Sequence, residues 1–257
     1  MNIIKSFIIC LSMYSTIPMV NISWEEKNMK YIFFFLPVIG VILGLLEFLV
    51  LLMCDYFQVS SILYAGLSTA LIILFTGGIH IDGYIDTIDA LSSHGDSKKR
   101  QEILKDPHTG AFAIIYTVVY FILIFSAFEN LYENISLPLL IIIFSLSRIF
   151  VLFLIANTKS AYNTGLLFTF SKNKNGKILS FYGLILLLIL SIFIFYCFHI
   201  YYLVMVMVLL IISSIILSFY FNKKFGGLSG DLAGFSVCIY ELIILLASSI
   251  FGVSLWI

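Results

Sequence analysis

Long uninterrupted runs of Leu, Ile, Phe and Val alternate along this chain with short polar segments. A helix needs about 20 mostly apolar residues to cross a hydrocarbon layer of about 30 Å. Seven stretches meet this requirement, and they cover residues 30–53, 60–78, 110–128, 136–157, 178–199, 201–221 and 233–252. The runs lack the ten-residue alternation of membrane β-strands, so we predict an all-α, polytopic helical membrane protein with about seven transmembrane helices.

An eighth apolar stretch, residues 4–20, is shorter and is broken by Pro18. We expect a short N-terminal membrane-associated helix there, half-inserted or lying on the surface, rather than another crossing. No small-residue cleavage site follows it, so we expect no removable signal peptide. No internal repeat or low-complexity linker divides the chain, and residues 1–257 are therefore expected to form one domain.

The composition agrees with a membrane setting and excludes one class of partner. Hydrophobic residues make up 61% of the 257 positions and charged residues 11%, and the mean hydropathy is +1.11. These values lie outside the range of water-soluble domains. The formal net charge is zero and no basic helix is present, so membrane lipid is the expected surrounding and no nucleic acid is expected as a partner.

The basic residues predict how the helices are oriented. Connections on one side of seven alternating spans hold twelve of the 14 lysines and arginines: Lys27, Lys30, Lys98, Lys99, Arg100, Lys105, Lys159, Lys172, Lys174, Lys177, Lys223 and Lys224. The connections on the other side, around Asp55, Glu129 and His199, hold none. Because basic connections stay in the cytoplasm, the longest polar segment, residues 79–108, is expected to face the cytoplasm from the cytoplasmic membrane.

Three carboxylates share one helix face in this segment. At about 100° per residue, Asp82, Asp86 and Asp89 lie at about 0°, 40° and −20° around a helix. Such crowding is unfavourable unless a cation lies among the acids, and oxygen ligands suit Mg²⁺ or Mn²⁺. A solvated helix surface is the alternative. Gly83 permits either close approach of a ligand or close packing of another helix.

Charged residues follow the acid face in sequence. Arg100 and Lys105 suit a phosphate-bearing substrate, although contact with anionic lipid headgroups explains basic residues here equally well. Asp106 precedes Pro107, a pattern typical of a helix N-cap and first residue. Asp106 is also a candidate to accept a proton from an attacking hydroxyl.

Three further features have both a structural and a functional interpretation. The turn at residues 226–231 exposes backbone amides at Gly230 that suit a phosphate, or it is a tight turn capped by Asp231. His80 is either a hydrogen-bonded structural residue or a ligand. The charges within the spans, Glu47, Arg148 and Glu241, should face the bundle interior and find partners. Arg148 and Glu241 lie at comparable depth and are expected to pair, with contact between Arg148 and a substrate phosphate as the alternative.

These motifs closely resemble one enzyme family. GGIHIDGYIDTIDAL at residues 77–91, followed by KDPHTGAFA at residues 105–113, resembles the signature of the adenosylcobinamide-GDP ribazoletransferase family, also called cobalamin synthase. STIPM near the N-terminus, Ser147 with Arg148, and KKFGGLSGD with Glu241 resemble its flanking motifs in the same order. The resemblance thus covers nearly the full length.

The resemblance implies a reaction and roles for residues. A ribose hydroxyl of α-ribazole, or of its phosphate, attacks the phosphorus joined to cobinamide in adenosylcobinamide-GDP, and GMP leaves. Magnesium is the implied cofactor, held by Asp82, Asp86 and Asp89, with Lys105 on substrate phosphate and Asp106 as metal ligand or base. The candidate catalytic residues are Asp82, Asp86, Asp89 and Asp106, and the candidate substrate-binding residues are His80, Gly83, Arg100, Lys105, Arg148, Gly230 and Asp231.

Two other functions remain open from the sequence. The CDP-alcohol phosphotransferases also use an acidic motif at a membrane surface, but here Ile79 replaces an expected aspartate and no Ala-Arg pair follows Gly83. A transporter is the alternative outside enzymes, because buried charges within spans suit solute passage. Against a transporter, the acids gather at one surface, and no paired interrupted helices occur at matching positions.

Overall fold

The computed structural model describes residues 2–163, 167–168, 175–198 and 200–251. Within these ranges the protein is mainly helical, and an isolated parallel bridge joins Ser160 and Leu228. The helices are α1 (Asn2–Tyr14), α2 (Glu26–Met29), α3 (Leu36–Tyr56), α4 (Ser61–Thr76), α5 (Ile79–Ser92), α6 (Ser97–Ile103), α7 (Ala111–Leu131), α8 (Leu137–Asn157), α9 (Asn175–Cys197), α10 (Ile200–Phe225) and α11 (Gly230–Phe251), with a 3₁₀ turn at Ile32–Phe35 before α3.

The apolar helices confirm the predicted membrane architecture. Six helical segments of the described chain are long and apolar enough to cross a membrane, namely Glu26–Tyr56, Ala111–Leu131, Leu137–Asn157, Gly176–Cys197, Ile200–Phe225 and Gly230–Phe251. A seventh crossing requires the bent pair α4 and α5, whose apolar member α4 is the predicted span 60–78. The predicted fold class is therefore confirmed, with helix ends shifted by a few residues.

The short first helix packs into the bundle. α1 has 13 residues, too few for a full crossing, as predicted. Ile9, Cys10 and Leu11 in this helix are buried, and Ser6 donates a hydrogen bond of 2.5 Å to the carbonyl oxygen of Asn28. α1 is consequently part of the protein core rather than a helix resting only on lipid.

The connections gather at two opposite ends, as their charges predicted. At the lysine-rich end, Gln101 donates to the carbonyl oxygen of Phe225, and the Leu228 amide donates 2.8 Å to that of Lys159. At the other end, the Tyr132 hydroxyl donates 3.1 Å to Asp55, and Ser61 in α4 donates to Glu129. The predicted basic positions Lys172 and Lys174, and His199 of the opposite end, lie outside the described residues.

Helix α8 forms the centre of the bundle and packs most closely on α3. A Cβ atom added at Gly40 would lie 2.3 Å from the Phe144 carbonyl oxygen, and one added at Gly44 would lie 2.9 Å from that of Leu140. Glycine at these positions lets the two backbones approach, which is the usual way that helices associate in lipid.

This close approach predicts a difference between two glycine substitutions. Gly40→Ala should lower the free energy of unfolding by about 1–3 kcal/mol, because the added methyl group meets backbone atoms that have no room to move. Gly66→Ala is the matched control, since its nearest neighbour would be a Phe125 ring atom at 3.8 Å. Thermal unfolding in detergent measures both, and equal stability of the two variants would contradict the close packing of α3 on α8.

The charged residues within the spans are buried, but only two of them pair. Arg148 and Glu241 are each 1% exposed and form a salt bridge, which confirms the predicted pair. Glu47 is fully buried, yet neither of its carboxylate oxygens has a hydrogen-bond partner. The expected pairing thus holds for Arg148 and Glu241, whereas Glu47 forms no ion pair with any described residue and lies beside the polar side chains of Ser68 and Tyr64.

Candidate active site

A break between α4 and α5 positions the acidic segment. Gly77 and Gly78 have φ values of 63° and 78°, and the two helices meet at an angle of 92°. This left-handed backbone is accessible to glycine at little cost, so the break is encoded locally. Thr16 fixes the end of α4 from outside, because its amide donates 2.7 Å to the carbonyl oxygen of Phe75.

Packing against α11 determines which face of α5 remains open. A Cβ atom at Gly83 would lie 2.6 Å from the Asp231 carbonyl oxygen. The Tyr84 ring lies between those of Tyr120 and Phe235, with centroids 5.0 Å and 5.4 Å away. Gly83 thus serves close helix packing, the alternative that the sequence left open, and does not provide room for a ligand.

The face of α5 next to Gly83 carries the three predicted acids. Asp82 is exposed, and Asp86 and Asp89 are half-buried. Asp86 lies beyond the apolar run of α4, and burial is the main cause that raises its pKa to about 6. Neighbouring carboxylates add to this rise, first Asp82, then Asp231 and last Asp89. The predicted acid face therefore exists, and Asp231 lies close enough to act on it.

The role of Asp231 differs from the predicted cap. Ser229 caps α11, because its hydroxyl oxygen accepts the Leu232 amide at 3.3 Å. The Asp231 carboxylate accepts a 3.4 Å hydrogen bond from the Ser229 hydroxyl, and its charge acts on Asp86 across the Gly83 contact. Gly230 is exposed beside it at the start of α11.

The acids form a face rather than a closed cage. In the described part of the chain, no three His, Cys, Asp or Glu side chains converge tightly enough to hold a metal ion by themselves. Asp89 of α5 packs against the start of α7. A Cβ atom added at Gly110 would come within 2.1 Å of the Asp89 Oδ1 atom. Magnesium, however, is usually held by one or two carboxylates together with substrate phosphates. An oxygen-only set of mutually repelling carboxylates, including Asp82 and Asp86, fits that mode.

A cavity of about 340 Å³ opens beside the acid face. Asp82 and Asp231 line it on one side, and Arg148 and His80 line it deeper in the bundle, where they are 1% and 7% exposed. His80 stacks on Tyr14 of α1, with ring centroids 6.0 Å apart. Arg148 and His80, which the sequence offered as separate candidates, thus share one cavity with two of the acids.

The segment after α5 contributes less to the site than expected. Asp96 caps α6 by accepting the Lys99 amide at 2.9 Å. Arg100 is buried, and it donates to the carbonyl oxygens of Gly95 and Ser93. Its guanidinium therefore closes the loop between α5 and α6, and the structure does not support the prediction that Arg100 binds substrate.

Lys105 and Asp106 have separate surroundings. The Lys105 Nζ atom lies 4.5 Å from the ring centroid of Tyr162, which lines the cavity, but Lys105 itself does not line it. Asp106 is exposed and accepts 3.0 Å and 2.7 Å hydrogen bonds from the amide and Nδ1 atom of His108, which hold its pKa below the usual range. The predicted cap is wrong, because α7 begins at Ala111 with Gly110 as its N-cap. Asp106 does not line the cavity.

Comparison with known proteins assigns this chain to a family. A family model described as cobalamin-5-phosphate synthase matches residues 6–249. The chain belongs to the cobalamin-5-phosphate synthase family. The resemblance inferred from the motifs of α5 and α11 is thereby confirmed.

Relatives of this synthase family align with nearly the whole chain. A protein from Lachnoclostridium phytofermentans is 36% identical over 94% of this chain and 92% of its own length. Proteins from Clostridium botulinum strain Alaska E43 and Treponema denticola are 31% and 33% identical, over 97% and 98% of this chain and 99% and 100% of their own lengths. All three are named adenosylcobinamide-GDP ribazoletransferase. No solved structure matches the chain.

Most of the cavity residues were not predicted from sequence, and three of them carry polar groups next to the predicted ones. Tyr14 ends α1, Tyr162 follows α8, and Ser229 caps α11. The cap was accessible to sequence reasoning, because serine directly before the first helical residue is a common N-cap. The two tyrosines carry no such local signal, since they join the site only through the packing of distant segments.

Proposed function

We propose that this protein is a magnesium-dependent adenosylcobinamide-GDP ribazoletransferase. A ribose hydroxyl of α-ribazole, or of its phosphate, forms a bond to the phosphorus joined to cobinamide, and the bond to the bridging oxygen breaks. GMP leaves with that oxygen, and the product is adenosylcobalamin or its phosphate. The observation that carries this proposal is the acid face of Asp82, Asp86 and Asp231 at the side of a cavity large enough for a nucleoside.

The acid face fits a hard divalent cation. Asp82, Asp86 and Asp231 offer only oxygen atoms, and their mutual repulsion, seen at Asp86, is relieved by bound positive charge. Mg²⁺, or Mn²⁺ in its place, supplies charge neutralisation for the diphosphate when bound. Phosphoryl transfer depends mainly on such neutralisation and on positioning, so no covalent nucleophile is required from the protein.

The remaining site residues position the two substrates. Lys105 is proposed to contact the diphosphate, because its ammonium is exposed and lies against Tyr162 of the cavity wall, where it can attract phosphate oxygens. The hydroxyl proton of the acceptor passes to a carboxylate that lines the cavity, for which Asp82 and Asp231 are placed. The cavity walls exclude water from the acceptor.

The site is proposed to face the cytoplasm from the cytoplasmic membrane. The site lies at the same end of the bundle as Lys105 and Lys159. Gln101 of α6 donates to the Phe225 carbonyl oxygen, and the Leu228 amide donates to that of Lys159, so these segments meet beside the start of α11. Basic connections remain on the cytoplasmic side of such membranes. Both substrates would therefore arrive from the cytoplasm.

The direct test uses the full chain in lipid nanodiscs. With adenosylcobinamide-GDP, α-ribazole and Mg²⁺, we expect equimolar GMP and adenosylcobalamin, and we expect EDTA to stop the reaction until Mg²⁺ or Mn²⁺ is restored. CMP release from a CDP-alcohol without GMP release would support the CDP-alcohol phosphotransferase alternative. Uptake into sealed vesicles with no nucleotide product would support a transporter.

The substitution Lys105→Ala tests whether Lys105 binds the diphosphate of the substrate. Lys105→Ala should raise the KM for adenosylcobinamide-GDP about tenfold, because one charge-assisted contact to phosphate is lost. Lys224→Ala is the matched control, since it removes a similar lysine–tyrosine contact, 5.9 Å to the Tyr220 ring centroid, on the lipid-facing helix α10. Steady-state kinetics separates the outcomes, and an unchanged KM with a reduced kcat would move Lys105 from binding to the chemical step.

A further inference from the structure

The cavity beside the acid face passes from a polar mouth to an apolar interior. Asp82 and Gly230 at the mouth are exposed, whereas Arg148 on the inner wall is 1% exposed. Between them lie aliphatic side chains such as Val151 and Val237, and the stacked rings of Tyr14 and His80, whose planes differ by 23°. The volume of about 340 Å³ lies within the range of small-molecule sites, and walls of this kind suit a flat apolar group.

Arg148, which lines this interior, has unused hydrogen-bond donors. Its Nη1 atom donates to Glu241, Ser147 and the Phe144 carbonyl oxygen. Its Nε and Nη2 atoms have no partner, and the Tyr162 hydroxyl is the only other buried side-chain group without one among the described residues that line the cavity. A buried donor without an acceptor is unfavourable, so the cavity favours a ligand that presents an acceptor to Arg148.

We propose that this cavity binds the base of the acceptor nucleoside, with Arg148 donating to its free ring nitrogen. The proposal rests on the proposed function, in which α-ribazole is the acceptor. Its base is a bicyclic benzimidazole with two methyl groups and one unsubstituted ring nitrogen that accepts a hydrogen bond. With the base inside, the ribose reaches the mouth, where its hydroxyl meets Asp82 and Asp231.

The other groups in the reaction match the interior less well. A corrin ring with its amide arms is larger than the cavity and fully polar at its edge. Guanine has N–H donors that need acceptors, whereas the walls around Arg148 include aliphatic groups such as Leu36, Val151 and Ile155. Dimethylbenzimidazole has no N–H donor when joined to ribose, and its methyl groups gain from burial against such walls.

A ligand series tests the apolar part of the proposal. Calorimetric titration of the full chain in nanodiscs, with Mg²⁺ present, measures the affinity for α-ribazole and for benzimidazole riboside without the methyl groups. Each buried methyl group is worth about a fourfold gain in affinity, so the unmethylated riboside should bind about 15-fold more weakly. Equal affinities would overturn the proposal.

A second comparison tests the role of Arg148. The wild type should prefer α-ribazole about tenfold over dimethylindole riboside, in which a C–H group replaces the accepting nitrogen. Arg148→Lys keeps a cation opposite Glu241 but removes the Nε and Nη2 donors, and it should bind the two ribosides alike. A preference that survives in Arg148→Lys would assign recognition of the nitrogen to another residue and overturn this part of the proposal.

Filling the cavity provides a test that spares Arg148. Ala233 lines the cavity from α11, so Ala233→Leu should place its added carbons in open space and weaken α-ribazole binding at least tenfold. Ala70→Leu is the matched control, because Ala70 lies on the exposed face of α4 and should bind as the wild type does. Equal thermal unfolding of the two variants shows that the protein remains folded.

The remaining outcomes separate failure of the proposed binding site from failure of the proposed reaction. Weaker binding of GDP rather than α-ribazole by Ala233→Leu would place guanine in the cavity and overturn the proposal, as would unchanged binding of both. If the wild type binds α-ribazole with these preferences but releases no GMP from adenosylcobinamide-GDP, the binding site is supported and the proposed reaction fails.

Discussion

Asp82→Asn, Asp86→Asn and Asp89→Asn are each expected to reduce GMP release about 10³-fold while the protein stays folded. Asparagine has the size of aspartate but no charge, so each variant weakens cation binding and charge neutralisation, for which losses of this order are typical. Asp231→Asn should behave like the first two, since the structure brings Asp231 to the same face. The measurement is GMP release at saturating substrates across a range of Mg²⁺ concentrations.

A nearby aspartate supplies the control for this series. Asp96 caps α6 on the same side of the bundle, and asparagine caps helices equally well, so Asp96→Asn should retain the wild-type rate. Near-normal rates in any two of the Asp82, Asp86 and Asp89 variants would count against the metal assignment. A loss confined to Asp82 and Asp86 would remove Asp89, which lies against Gly110, from the set of metal ligands.

Glu241→Ala is expected to lower the free energy of unfolding by about 3–5 kcal/mol. Arg148 is 1% exposed and pairs with Glu241, so removing the carboxylate leaves a buried cation without a counter-charge. The double variant Arg148→Met with Glu241→Leu should recover most of this loss, because a buried ion pair contributes little beyond what apolar packing provides. Thermal unfolding in detergent compares the variants.

The same experiment separates stability from ligand binding. Glu129→Ala, at the opposite end, removes only a partly buried contact with Ser61 and should cost about 1 kcal/mol or less. A Glu241→Ala protein as stable as the wild type would contradict the buried pair. The stable double variant should still lose the preference for α-ribazole, because it lacks the Arg148 donors.

The spans were predictable because each depends on a local property of the chain. Residues 136–157 were predicted as one span and α8 runs from Leu137 to Asn157, since the run contains only Arg148 as a charge. The break after α4 was only partly predictable. A glycine pair marks a helix end, but the 92° turn into α5 follows from the conformation of both glycines and from the packing that surrounds them.

The candidate site was predictable on one helix and not between helices. The shared face of Asp82 and Asp86 follows from helical periodicity alone. The position of Asp231 depends on the contact of Gly83 with the start of α11, for which periodicity carries no information. Asp106 was misplaced because Asp-Pro is a frequent helix start, whereas here hydrogen bonds from His108 satisfy its carboxylate instead.

The contact between Gly83 and Asp231 also has a consequence for biogenesis. α5 leaves the ribosome early, and α11 is the final helix described. Asp82 and Asp86 are therefore synthesised long before Asp231. A nascent chain that already carries Asp82 and Asp86 in the bilayer still lacks Asp231. If Asp231 belongs to the site as proposed, insertion of α11 is the step that completes the acid face.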